Sequence, residues 1–388
     1  MSLAKYGRRM NRTGCLFHQA TTILRGECRC FMIFFVLLVI QGCTPASIDA
    51  PDGAPATLDP IVLYNWEDDM PQSVLAAFTQ ETGIEVVYRT YESTEEAVAN
   101  LRAGAVYDVV VMENRHIPTL ISANLLARLD HHNLPNFKNV SLNFRGLTYD
   151  PDNAYSVPYS WGTTGIVVRS DRLTEPVMRW ADLWEARYAG HVALYRGQPR
   201  ETIGLTLKSL GFSANTEDPA HLQAVLTRLL ELPLPVHFAE DYDPFTVSTS
   251  MIDGPVSVGM GYTSDMLEGR AAGAPFDYVL PEEGGLLWGD NFVIPASSTQ
   301  RRQAEQFIDF LLRPEIAAMI TNQNYYAMAN DAALRFMKPE IIQNPYIYPP
   351  QEQMNDVEIV LPLSETGEQM YEQVWNQFLE ANTAAGSR

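Results

Sequence analysis

Beyond Cys43 the 388-residue sequence contains no cysteine, so most of the chain can form no disulfide. Basic residues are scarce as well. With 27 against 47 acidic, the formal charge is −20, which argues against nucleic acid as a partner, because a phosphate-binding surface needs basic side chains. An acidic balance suits a cationic ligand. The longest apolar run, Phe31–Ile40, is too short to cross a bilayer as a mature helix. Catalytic and cofactor signatures are missing: no Walker loop, no Gly-x-Gly-x-x-Gly after a strand, no His-Glu-x-x-His, no Gly-x-Ser-x-Gly. The seven histidines are scattered apart from His131-His132 and lack metal-ligand spacing, so neither metal nor cofactor is expected. The chain reads as a non-enzyme, although abundant Asp and Glu leave a two-carboxylate enzyme open.

What is present begins with an export signal. Lys5, Arg8, Arg9, Arg12, Arg25 and Arg29 precede the apolar run, and Gln41-Gly42-Cys43 follows it. This ending resembles a bacterial lipoprotein box, with residues 1–42 removed and Cys43 lipidated; cleavage near Ala46 without lipid is the alternative. A start at Met10 would leave a more ordinary signal. The mature chain then carries 21 basic and 46 acidic residues. Residues 43–58, rich in Pro, Ala, Gly and Asp, read as a flexible tether.

The full sequence is 46% apolar, enough for a large core divided into two lobes. An apolar strand at 60–65 leads to a helix from Pro71 with Val74, Leu75 and Phe78 on one face and Gly83 as its stop. Ile84–Tyr88 is the next strand, Ser93 with Glu96 caps a second helix that ends at Gly104, and Val109–Val111 follows. Such alternation predicts a parallel sheet, whose ligands gather at the carboxyl ends of the strands. Trp66 with Asp69, and Glu113 with Arg115, fall at those ends; helix capping is the competing explanation for Asp68 and Asp69. A second α/β region starts after Trp161-Gly162, with strands at 165–168, 192–195 and 256–260. Glu201 lies in the first turn of a helix from Pro199, where the helix dipole alone favours an acid. Tyr262 and Asp265 stand at the exit of the last of these strands.

The stretch Leu280–Pro295 is the most unusual. Trp288 and Asp290 interrupt an apolar run and, two residues apart in an extended segment, project to one face. An indole beside a carboxylate is what an organic ammonium needs, although a core Trp beside a turn Asp would read the same way. Tyr325-Tyr326 could be a pocket pair or ferric-iron ligands.

Leu63-Tyr-Asn-Trp66, Tyr107-Asp-Val-Val-Val111, Trp161-Gly-Thr-Thr164, Trp180-Ala-Asp-Leu-Trp184, Glu283-Gly-Gly285 and Phe310-Leu-Leu-Arg-Pro314 occur in this order. Together they resemble the bacterial spermidine/putrescine-binding proteins of ABC transporters, and the C-terminal Tyr325–Asn330 and Asn344–Pro350 lean toward the putrescine-binding branch. The resemblance implies a two-lobed α/β solute-binding fold of type II, each lobe a mixed, mostly parallel sheet flanked by helices, with three interlobe crossings. The implied lobes are 58–162 with 290–335, and 163–289 with 336–388. It also implies an extracytoplasmic, periplasmic, monomeric protein, anchored to a membrane by lipid on Cys43, that delivers polyamine to an ABC permease; a sensor subunit for a membrane signalling protein is the alternative. Implied ligand positions are Trp66, Glu201, Tyr262, Asp265, Trp288, Asp290 and Tyr326, with Asp69 and Glu113 as departures from the family that still face the ligand. Gln198 replaces an acid of spermidine binders. Arg115 is another departure: in a cation site it requires an internal ion pair or an acidic group on the ligand.

Overall fold

The computed structural model describes residues 58–67, 69–240 and 246–386. The expected signal segment, Cys43 and nearly all of the tether lie outside them, as does Asp68. Among the described residues no helix is long and apolar enough to cross a membrane.

Eleven strands form among these residues: β1 (Ile61–Trp66), β2 (Val86–Tyr91), β3 (Val109–Glu113), β4 (Ser156–Arg169), β5 (Val192–Tyr195), β6 (His237–Ala239), β7 (Val258–Gly261), β8 (Phe276–Val279), β9 (Leu286–Val293), β10 (Ala327–Met328) and β11 (Glu358–Ile359). β1 pairs in parallel with β2 and β3, as the strand-helix alternation predicts. β3 then meets β9, and β9 meets β4, both antiparallel. β4 continues into a second set, pairing antiparallel with β7 and β8, while β5 lies parallel to β6 and β7. Helices flank both sets.

Local chemistry explains the early elements. The helix Gln72–Thr82 buries Val74, Leu75 and Phe78 and ends at Gly83, whose φ of 74° is the left-handed stop that glycine adopts without strain. The Ser93 hydroxyl accepts from the Glu96 N–H and caps the helix Thr94–Arg102; the Glu96 carboxylate reaches back to the N–H of Glu92. Two further elements are set by local contacts. The segment Trp180–Trp184 is a short 3-10 turn, held by the Asp182 carboxylate accepting from the N–H groups of Met178 and Arg179. β4 begins well before Gly165 because Val157, Tyr159, Val167 and Val168 all find buried apolar surface along its length.

Apolar burial falls into separate groups. One gathers Phe78, Tyr159, Phe292 and Phe307 together with Met337, Ile341 and Ile347, and a satellite on the other face of its sheet holds Tyr64, Met112 and Val293. The other gathers Ile166, Trp180, Leu194, Ile203, Leu286 and Phe378. β4 and β9 run from one group to the other, so the residues in the middle of these strands are surrounded by side chains rather than packed into either core.

Candidate functional site

Where β4 and β9 pass between the cores, their pairing slips by one residue between Pro158 and Trp161. A bulge of this kind re-aims side chains. Asp290 lies opposite the slip. It is 8% exposed, and its Oδ1 has no hydrogen-bond partner among the described residues. Burial raises the Asp290 pKa far above the carboxylate range, Glu113 and Asp69 add to this, and hydrogen bonds with the Trp66 and Ser160 side chains offset part of it.

Asp69 follows β1 and is buried. Its Oδ2 accepts from Asn65 Nδ2 at 2.8 Å and its Oδ1 from Asn324 Nδ2 at 3.1 Å. Pro71 is the cap residue of the helix Gln72–Thr82 and no side chain caps that helix, so the capping explanation does not apply to Asp69. Burial raises its pKa against those hydrogen bonds.

Glu113 ends β3 directly opposite Asp290 in the antiparallel register. Its Oε1 accepts from Thr94 Oγ1 at 2.9 Å, and its Oε2 pairs with Arg115 Nε at 2.6 Å. Arg115 also reaches Glu95 at 2.9 Å, so the cation is held in an internal ion pair. Burial disfavours the guanidinium charge, yet Glu113 and Glu95 together hold its pKa above the usual value.

Glu201 sits in the first turn of the helix Pro199–Ser209, but its Oε2 turns toward the centre and accepts from Thr164 Oγ1 at 2.8 Å and Tyr262 Oη at 2.9 Å. Burial and the charge of Glu113 push its pKa up to about 7 against these bonds and the nearby Arg115. Helix-dipole compensation is therefore not all it does. Asp265 is different. Its Oδ2 accepts from the Tyr262 N–H at 2.9 Å, and its Oδ1 from Tyr195 Oη at 2.8 Å and the Ser248 N–H at 3.3 Å. Both oxygens are engaged within the protein, capping the helix Thr263–Ala271 and fixing Tyr262; burial pushes the pKa to about 6.

Aromatic rings stand among these acids. Trp66 meets Tyr91 edge-on at 4.5 Å, and the Tyr88 hydroxyl donates to the Trp66 carbonyl. Trp288 is edge-on to Tyr262 at 6.5 Å and to Tyr326 at 5.7 Å, and its buried Nε1 has no hydrogen-bond partner among the described residues. Gly162 is opposite Trp288 in the register, and a Cβ there would stand 2.3 Å from the indole. The indole can occupy its place only because residue 162 has no side chain.

The two tyrosines part. Tyr325 ends the helix Pro314–Asn324 with φ 64° and is 41% exposed, whereas Tyr326 turns to Trp288. Shared ligation of a ferric ion is therefore not favoured. Among the described residues no cluster of His, Cys, Asp and Glu is spaced to hold a metal ion.

Sequence reasoning passed over Tyr91, Ser160 and Asn324. Thr164 closed a quoted motif without being assigned a role. Ser160 owes its position to the strand bulge, which has no sequence signal; Asn324 is brought to Asp69 by a helix far along the chain.

The arrangement sets two buried acids that have no ion pair among the described residues, Asp290 and Glu201, against the Trp66 and Tyr262 side chains. The sequence profile of the family described as bacterial extracellular solute-binding protein matches residues 73–349. The chain is similar to the spermidine/putrescine-binding periplasmic protein of Escherichia coli, 34% identical over 301 residues that cover 77% of this chain and 85% of that one. It is also similar to the putrescine/agmatine-binding protein of Pseudomonas aeruginosa, 30% identical over 359 residues, 88% of this chain and 97% of that one. Among solved structures it is similar to the spermidine/putrescine ABC transporter substrate-binding protein of Streptococcus pneumoniae, with a TM-score of 0.74, 30% identity, and coverage of 84% of this chain and 100% of that one.

Proposed function

The chain belongs to the family of bacterial extracellular solute-binding proteins, and from that premise we propose that it captures a polyamine of the putrescine/spermidine class between two lobes and delivers it to an ABC permease. The two-lobed α/β fold is that of its structural relatives. One observation carries the reading: Asp290 is buried, has a free Oδ1, and lies beside Trp66 with Asp69 and Glu113 near by. A carboxylate in that setting is costly unless a cation joins it. An alkyl diammonium supplies the cation, and its methylenes fit the walls made by Trp66, Tyr262, Trp288 and Tyr326.

In this reading Asp290 takes one ammonium, with the hydrogen-bonded Asp69 adding its charge near by, and Glu201 the other, while Asp265 positions Tyr262. We draw the lobes where the cores change. The first comprises 58–162 and 290 onward through Ile347, the second 163–289 and the C-terminal segment from Val360. This moves the third crossing beyond Arg335, because Met337, Ile341 and Ile347 pack into the first core. Ligand touching both lobes favours closure by its differential affinity for the closed state. The chain acts as a binding protein rather than an enzyme, is monomeric, and is held at the periplasmic face of a membrane by lipid on Cys43. Relatives named for ABC transport favour a permease over a signalling protein as the partner.

Calorimetric titration of the purified protein with putrescine, cadaverine, spermidine and norspermidine tests this. Putrescine is expected to bind at least as well as spermidine. No heat with any of the four overturns the function, and spermidine affinity tenfold or more above putrescine overturns the length preference.

A further inference from the structure

Glu113 is the acid that adjoins two of the proposed ligand anions. It lies opposite Asp290 in the strand register, and its charge acts on Asp290 on one side and on Glu201 on the other. An anion close enough to act on both proposed ammonium sites is where a triamine would place its secondary ammonium. Yet this acid is already occupied: Arg115 Nε holds Oε2 at 2.6 Å, Thr94 holds Oε1 at 2.9 Å, and Glu95 braces the guanidinium from outside at 2.9 Å. The Arg115 side chain is 12% exposed and cannot swing freely into solvent. The three contacts come from β3, the turn after it and the neighbouring helix, so the ion pair is part of the wall rather than a surface association.

We infer that Arg115 is a specificity-determining residue, which by masking Glu113 makes the site select diamines with two terminal ammoniums and reject ligands carrying a third charge in between. A central ammonium meets a neutralised acid with a guanidinium behind it, and like charge at short range in a low-dielectric site discriminates strongly. A diamine presents methylenes there and loses nothing. This inference rests on the polyamine reading above.

The test compares putrescine and spermidine affinities by calorimetry in the wild type and four variants. Arg115→Gln uncovers Glu113, and the spermidine-to-putrescine affinity ratio should rise at least tenfold. Arg115→Lys keeps the charge and should leave the ratio within about threefold of the wild type. The double variant Glu113→Gln/Arg115→Gln removes both charges and should fall between the two. Glu113→Gln alone removes the site-facing partner of the guanidinium and leaves it paired only with Glu95, and spermidine affinity should drop by more than putrescine affinity; this variant decides the matter if Arg115→Gln does not fold. An unchanged ratio in both Arg115→Gln and Glu113→Gln, or equal losses for both ligands, overturns the inference. Absence of polyamine binding in the wild type is a separate result and overturns the function instead.

Discussion

Glu113 and Asp290 face each other in register on adjacent antiparallel strands, two carboxylates on one face of a sheet. Arg115 neutralises the first, and no ion pair reaches the second among the described residues. Opposed like charges destabilise a strand pair by up to about 1 kcal/mol, so the pairing opposes stability and favours a bound cation.

Replacing Asp290 by Asn separates these two effects. The shape is kept and the charge removed, so polyamine binding should weaken by about 2 to 5 kcal/mol, as when one partner of a buried charge pair is lost. The melting temperature of the ligand-free protein should hold or rise, because the repulsion with Glu113 and Asp69 is relieved. Calorimetry and thermal melts measure both quantities; undiminished affinity would remove Asp290 from the site.

Trp288 is tested from two sides. Trp288→Leu keeps apolarity but loses the ring and its contact area, which should cost about 1 to 3 kcal/mol of binding. Gly162→Ala leaves the Trp intact but puts a methyl against the indole, and overpacking of this sort costs about 1 to 3 kcal/mol. Both should lower affinity; the ligand-free Trp288→Leu protein should melt near the wild-type temperature, whereas Gly162→Ala also lowers the melting temperature by its overpacking cost. A core role for Trp288 predicts the opposite pattern: a large fall in melting temperature with affinity preserved.

These residues also show what the sequence reveals and what it hides. Trp288 and Asp290 were legible because an apolar strand has no reason of its own to carry an indole and an acid two positions apart. The parallel pairing of β1, β2 and β3 was legible because caps and glycine stops punctuate the helices between them. The engagement of both Asp265 oxygens was not, since Tyr195 and Ser248 reach it from other elements. Nor was the slip between β4 and β9, which aims Asp290 inward, because strand register is a tertiary property. Arg115 looked contradictory in sequence for the same reason: Glu95, its second partner, arrives on a different helix.

Cys43 provides a prediction independent of the candidate site. As the only cysteine left after signal removal, and the last residue of a lipoprotein-like box, it should carry the anchor. Cys43→Ser should release the protein from membranes into the soluble extracellular or periplasmic fraction. Retention after a carbonate wash, or a mature N-terminus mapping beyond residue 43, would rule the anchor out.

Glu201 makes both stability and binding depend on pH, in opposite directions. Its carboxyl is raised from 4.5 to about 7 in the ligand-free fold, so the folded protein holds that proton more tightly than the unfolded chain. The stabilisation is fully present below pH 4.5 and disappears as the pH rises through 7, with a magnitude of about 3 kcal/mol from the size of the shift. Ligand-free melting temperature should therefore fall between pH 5.5 and 8. Binding of an ammonium needs the ionised form, so putrescine affinity should weaken about tenfold between pH 8 and pH 6 from this group alone. Burial raises the Asp290 pKa as well, so this group acts in the same direction. Glu201→Gln should flatten both dependences while weakening affinity at pH 8. Titrations at pH 6, 7 and 8 with matching melts provide the check, and wild-type affinity independent of pH across this range would exclude Glu201 as a ligand anion.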